Sequence, residues 1–242
     1  MLRPDPDDTT PRCCAPASDS RIAKRFDRRA SAWTDADELP ELVDVSGHLL
    51  DLLRDAPGRR PSVLELGCGT GGLGVALLEM GAAHVTGVDL SVASVELARR
   101  RATQAGFADQ PIFAVGNAAY VEVDRHDWVI LDRVICCFGD VERLVSRAIE
   151  LADERIGISV PESRGWRGLV NRPLWAAENV WDLVSGGCRG YVHDIRRIEH
   201  RLAAAGFRPA ASVRAGLWHI GIYAKHGSDD LHGEAAGVPP RH

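Results

Sequence analysis

Four glycines stand within Gly67-Cys68-Gly69-Thr70-Gly71-Gly72, directly after the apolar run Val63-Leu64-Glu65-Leu66. Their type and spacing speak first of chemistry. Glycine permits a tight turn and lets a ligand lie against bare backbone. A helix that begins at such a turn points free N–H groups and the positive end of its dipole toward that ligand. The glycines alone fit the G-x-G-x-x-G loop of dinucleotide sites equally well. Two acids add information. Asp89 closes the next apolar run, where a carboxylate accepts from both hydroxyls of a ribose, and this serves either kind of adenosine cofactor. Glu65, inside the first run and just before Gly67, would repel a pyrophosphate and attract an ammonium group.

The elements that must position these residues alternate. Apolar strand-like runs at 62–66, 83–88, 111–115, 127–131 and 155–160 are separated by helical patterns at 71–80, 91–105 and 140–152. Ser91 reads as an N-cap and Gly106 as a C-terminal stop. Two further helices, 20–33 and 40–55, precede the first strand, the second ending at Pro57-Gly58. A helix at 194–205 leads to runs at 210–214 and 217–225, parted only by Ala215-Gly216, which reads as a hairpin. The pattern predicts an α/β fold. It is a doubly wound, mostly parallel, seven-stranded Rossmann-like sheet with a C-terminal antiparallel hairpin. Residues 161–192 break the rhythm after the fifth strand and hold Trp166, Trp175, Trp181, Arg164, Arg167, Arg172 and Arg189. They read as a helical insertion forming an acceptor-site lid. The expected domain is 20–226, with unstructured tails at 1–19 and 227–242 rich in Pro, Asp, Ser and Gly.

Glu65-Leu66-Gly67-Cys68-Gly69-Thr70-Gly71 resembles the glycine motif of class I S-adenosylmethionine-dependent methyltransferases, and Thr86-Gly87-Val88-Asp89-Leu90-Ser91 resembles their second motif. The likeness runs over about residues 63–160 and extends to the closing hairpin. It implies S-adenosylmethionine as cofactor. Glu65, Gly67, Cys68, Gly69 and Gly71 would hold its methionine moiety, Asp89 its ribose, and Leu90 one face of the adenine. The family's third contact falls on Gly116-Asn117-Ala118, where Asn117 replaces the usual acid and keeps a carbonyl able to accept from the adenine amino group. The helix through Phe26-Asp27 to Trp33, placed before the glycine core, resembles small-molecule methyltransferases, the magnesium-protoporphyrin and ubiquinone-pathway types most nearly in layout.

Asp132, after the fourth strand, is expected to face the transferred methyl or orient an acceptor; pairing with Arg133 is the alternative reading. His193 is the candidate base, paired with Asp194, unless Asp194 caps the next helix and leaves His193 at the surface. Trp33, Arg133, Trp166, Arg172, Trp175 and Tyr191 are acceptor-site candidates, suited to a planar or carboxylated molecule, and a porphyrin diacid would suit the arginines. Cys136 and Cys137 either line the pocket or, the favoured reading, pack in the core. His219 reads as structural.

The 242 residues carry a formal charge of -5, so nothing in the balance favours nucleic acid or an anionic membrane. No apolar run is long enough to span a bilayer and no secretory h-region opens the chain, so a cytoplasmic protein is expected. The six cysteines lack C-x-x-C spacing and read as reduced thiols, with no metal site. A monomer or homodimer fits these features. Three other readings stay open. One is an RNA or protein methyltransferase, which no basic tail or Asn-Pro-Pro-Tyr-type motif supports. Another is a non-catalytic cofactor-binding subunit. The last is a nicotinamide oxidoreductase, disfavoured by Glu65 and the hairpin.

Overall fold

A computed structural model describes residues 17–33, 39–54, 60–185 and 189–225. Two helices, α1 (Ala17–Ser31) and α2 (Asp44–Arg54), come before β1 (Ser62–Leu66). The alternating core follows: α3 (Gly72–Glu79), β2 (His84–Asp89), α4 (Val92–Gln104), β3 (Pro111–Val115), β4 (His126–Asp132), α5 (Val141–Leu151) and β5 (Ala152–Pro161). Helices α6 (Gly165–Ser185) and α7 (Ile195–Ala204) then lead to β6 (Phe207–Ala215) and β7 (Trp218–Lys225).

Strand alternation divides the core. Leu64, Leu66, Val129 and Leu131 pack on one face of the sheet with Leu144 of α5 and Leu202 of α7. Val63, Val85, Trp128 and Ile130 face the other way, onto Leu49 and Leu53 of α2 and Leu77 of α3. Each fully buried leucine contributes about 1.5–3 kcal/mol of transfer free energy. Covering both faces explains why the central strands are nearly continuous apolar runs.

The seven strands lie in the order β3-β2-β1-β4-β5-β7-β6. β1 pairs in parallel with both β2 and β4, so the chain leaves β1 in opposite directions and opens a crevice at the carboxyl ends of these strands. The expected hairpin forms, but β7, the later strand, is the one that joins β5, antiparallel, and β6 takes the edge. Burial decides this order. β7 is buried along almost its whole length, whereas β6 is mostly exposed and carries Pro209 at a register shift, as an edge strand tolerates.

Three expectations shift. Helix α1 starts at Ala17, taking in residues assigned to the tail, while 1–16 and 227–242 lie outside the described residues. Helix α2 starts only at Asp44, and its proposed stop at Pro57-Gly58 also lies outside them. The insertion is one 21-residue helix that runs through Pro173. None of the helices among the described residues is long and apolar enough to cross a membrane.

Candidate functional site

The glycine loop leaves β1 with Gly67, Gly69 and Gly71 at φ 83°, 50° and 72°, all in the left-handed region. The Gly67 and Cys68 N–H groups donate to the Val88 carbonyl at 2.7 and 3.0 Å, fastening the loop to β2. A side chain at Gly67 would stand 2.5 Å from Val134, so packing fixes that glycine. Above Gly69 there is nothing within 4 Å, and its backbone is open to a ligand. Gly71 serves as the N-cap of α3.

Asp89 ends β2 with both oxygens oriented by the backbone. Oδ2 accepts from Gly69 N–H and Oδ1 from Ser91 N–H, each at 2.8 Å. Burial raises its carboxyl above the ordinary value, and those two N–H groups oppose the rise. Glu65 is more deeply buried, and its Oε2 has no hydrogen-bond partner among the described residues. Burial, then the nearby charges of Asp132 and Asp89, push its carboxyl well above the usual range. Bare Gly74 makes room for it, since a Cβ there would lie 3.1 Å from Oε2. A buried carboxylate with one oxygen lacking a partner is costly to ionise, the Gly74 backbone offsetting only part of that cost, and an ammonium group would relieve it. The site therefore fits the cationic group that the sequence resemblance implies.

At the end of β4, Asp132 accepts from the hydroxyls of Ser46 in α2 and Ser159 in β5, one on each oxygen. Arg133 Nε lies 3.5 Å from Oδ2. Arg133 itself has φ 52°, the one non-glycine residue with positive φ among the described residues. Such strain is stored where surroundings over-determine the backbone, often at functional sites. Arg133 N–H donates to Ser159 Oγ at 2.8 Å, which helps fix that bend. A short 3₁₀ turn, Ile135–Cys137, then brings the Cys136 and Cys137 sulfurs within 3.9 Å of each other.

These pieces enclose a cleft of about 410 Å³, a size suited to small ligands. Glu65, Gly67, Cys68, Gly69, Asp89 and Leu90 all line it, as do Gly116, Ala118, Asp132 and Arg133. Cys136, buried in the core, and half-buried Cys137 both border it, so the two readings of these residues hold together; with Cys68 they are free thiols. Of the aromatic acceptor-site candidates only Trp175 reaches the cleft, lying so close over Gly190 that a Cβ there would meet its ring at 2.3 Å. The Asn179 amide clamps Gly190 in both directions, accepting from its N–H at 2.6 Å and donating to its carbonyl at 2.8 Å.

Other candidates stand elsewhere. Asn117 is not part of the lining; its Nδ2 donates to Asp19 at 2.6 Å and its Oδ1 accepts from Ala119 N–H at 2.9 Å. His193 Nε2 donates to the Phe138 carbonyl at 2.8 Å, and the ring stacks on Tyr191 outside the cleft. Burial lowers the His193 pKa. Asp194 caps α7 by accepting from Arg196 N–H. Trp33, Trp166 and Arg172 are exposed and away from the cleft, and Tyr191 is half-buried behind it.

Sequence reasoning missed the cleft's outer wall. Ile22, Arg25, Phe26 and Arg29 of α1 face it at i, i+3, i+4 and i+7, a spacing legible in the sequence. Arg25 clasps α6 through Asp182 at 2.5 Å and Glu178 at 3.1 Å. The root of α6 is held by buried Glu162, which accepts from Arg164 at 3.1 Å and Arg214 at 2.9 Å. Burial alone would raise Glu162, but these guanidiniums outweigh it and hold the carboxyl at about 2. His219 sits in the same network, beside Arg164 and Tyr223.

Comparison with known proteins gives a consistent frame. A family model described as a methyltransferase domain matches residues 59–181. The ubiquinone biosynthesis O-methyltransferase of Neisseria meningitidis is 32% identical over 117 residues, 47% of this chain and 48% of that protein. The ribosomal protein L11 methyltransferase of Shewanella piezotolerans is 35% identical over 77 residues, 32% of this chain and 24% of that protein. The chain thus spans half or less of the curated relatives it matches. Among solved structures, magnesium protoporphyrin IX methyltransferase from Synechocystis PCC 6803 with bound S-adenosylhomocysteine superposes with TM-score 0.64 at 22% identity. That match covers 86% of this chain and 99% of the other.

Proposed function

This chain belongs to the methyltransferase-domain family, and from that premise we propose that it transfers the methyl group of S-adenosylmethionine to O, N or C of a small-molecule acceptor. The observation that carries the reading is Glu65, a buried carboxylate with an unpartnered oxygen beside open glycine backbone. That combination favours an ammonium-bearing ligand over a pyrophosphate. When bound, the sulfonium supplies an activated methyl group. The chain's own residues do the rest. Gly67, Cys68 and Gly69 have their N–H groups engaged with Val88 and Asp89, so they hold the methionine end by close backbone approach and carbonyl oxygens, with Gly71 setting the turn. Asp89, its orientation fixed by two N–H groups, keeps lone pairs for the ribose diol. Leu90 and Ala118 wall the adenine. Asn117 acts through the loop it braces against Asp19.

Asp132 has both oxygens engaged, so we assign it a positioning role: it ties α2, β4 and β5 together under the acceptor space. A sulfonium donor chiefly requires its acceptor to be held in line, and a base is dispensable. His193, bonded to Phe138 and outside the cleft, is assigned no part in it. Trp175 offers a flat surface, and Arg29 and Arg133 line the cleft with guanidiniums suited to a planar or carboxylated acceptor. Full-length coverage of a protoporphyrin methyltransferase supports the small-molecule reading. The ribosomal-protein enzyme matches over too little of its length to favour a protein acceptor.

Calorimetry with S-adenosylhomocysteine and with NAD tests the donor site. Micromolar binding of the first and none of the second is expected; the reverse overturns the proposal. A panel of planar and carboxylated acceptors, read by transfer of labelled methyl, tests the other half.

A further inference from the structure

Helix α6 shows the cleft one face and leaves the opposite face bare. Trp166, Leu169, Val170, Leu174, Val180 and Trp181 are between 39% and 76% exposed. At 3.6 residues per turn all six, with Pro173 and Ala177, fall within a stripe about 140° wide. Trp175, which lines the cleft, lies on the other side of the helix. The stripe runs from Trp166 to Trp181, about 22 Å along α6. Large apolar surfaces of this kind mark docking sites.

We propose that this face pairs with the same face of a second copy of the chain, α6 against α6 in antiparallel orientation about a two-fold axis. Three observations select that occupant. The stripe is partly palindromic about residues 173 and 174: antiparallel pairing sets Trp166 against Trp181, Val170 against Ala177 and Pro173 against Leu174 of the other copy, while Leu169 and Val180 come level with Glu178 and Arg167 at the stripe's border and meet their aliphatic stems or methylenes there. A two-fold interface requires this self-complementarity. The six large side chains expose on the order of 700 Å² per chain, close to the roughly 800 Å² per partner of a standard stable interface. The terminal sequences are poor cover: 1–16 hold only Met1 and Leu2 as large aliphatics, and 226–242 only Leu231 and Val238. A lipid surface is the weaker alternative. The charged residues of α6 are Arg167, Arg172, Glu178 and Asp182, which cancel, whereas a helix bedded in an anionic bilayer carries a cationic border.

Analytical ultracentrifugation of the full chain, together with flotation on phosphatidylglycerol vesicles, tests the pairing. The wild type should sediment at twice the mass of one chain in the micromolar range and stay off the vesicles. Leu169→Glu with Trp181→Glu should sediment at the mass of one chain and still bind S-adenosylhomocysteine like wild type. Leu169→Gln with Val180→Thr, milder changes at equally exposed positions, should weaken the dimer at least tenfold. A wild type that is monomeric, a variant that stays dimeric, or a monomer that floats with vesicles would each overturn the proposal.

Discussion

At the residue scale, Glu65 makes the sharpest prediction. Its carboxyl is raised well above the ordinary value, so the empty site favours the protonated form and an ammonium ligand favours the ionised one. Binding of S-adenosylhomocysteine should weaken as pH falls through the raised value, in a range above that of ordinary glutamates. Glu65→Gln should bind about 10- to 100-fold more weakly, the worth of a charged hydrogen bond, with a flat pH profile over that range. The same substitution should raise the melting temperature of the ligand-free protein increasingly with pH, and in full only at pH above the raised value, where the buried carboxyl would otherwise have to ionise. A pH-dependent affinity in the variant would put the titrating group elsewhere. Arg133 gives a second test. Arg133→Gly relieves a left-handed backbone and should stabilise the fold by about 1 kcal/mol in urea titrations while lowering methyl transfer. Glu65, the glycines and Asp89 were legible because their chemistry is local in sequence. Ser46 and Ser159 were not: their partner, Asp132, is brought to them by the packing of α2 and β5.

At the scale of elements, β1 has the bounds that its apolar run predicts, since burial on both faces leaves a sequence few alternatives; β3 keeps its predicted bounds as well, though it is an outer strand with Ile112 and Val115 exposed and only Phe113 buried. Helix α6 was harder to read as one piece because Pro173 removes a backbone donor in its middle, normally a break. Tertiary anchors hold it instead: Glu162 at its root, Asn179 on Gly190, and Arg25 on Asp182. Gly168 is required in the first turn, where a Cβ would lie 2.2 Å from the Ser163 carbonyl oxygen. Gly168→Ala should therefore destabilise the protein by a few kcal/mol and expose the cleft to proteolysis near α6. Glu162 is held at about 2 against an ordinary 4.5, so its stabilising effect is complete above about pH 4.5 and disappears as pH falls toward 2. With solvent screening the half-exposed Arg214 guanidinium, that contribution is on the order of 1–2 kcal/mol at neutrality. Glu162→Gln should remove this part of the acid-unfolding profile, and an unchanged acid midpoint would show that the pair with Arg164 and Arg214 contributes little.

At the scale of the molecule, one sheet order accounts for where everything stands. The crevice opens where β1 parts β2 from β4, the cofactor-side acids end those strands, and α1 and α6 close over the crevice from opposite ends of the sequence. The sequence alternation made the parallel half readable. It could not show which hairpin strand goes inside, because that depends on the burial each strand finds, and β7 carries the more continuous apolar run. That choice has a consequence for synthesis on the ribosome. The seat beside β5 stays vacant until the last strand has emerged, so Ile156, Ile158 and Val160 lie along an open sheet border throughout translation of α6, α7 and β6. A chain cut after Gly216 should keep that border permanently open and collect in inclusion bodies or high-molecular-weight species. Size-exclusion chromatography that found it soluble and monomeric would contradict the account. The nascent protein completes its sheet by filling a gap, and its moment of greatest risk falls just before β7 emerges.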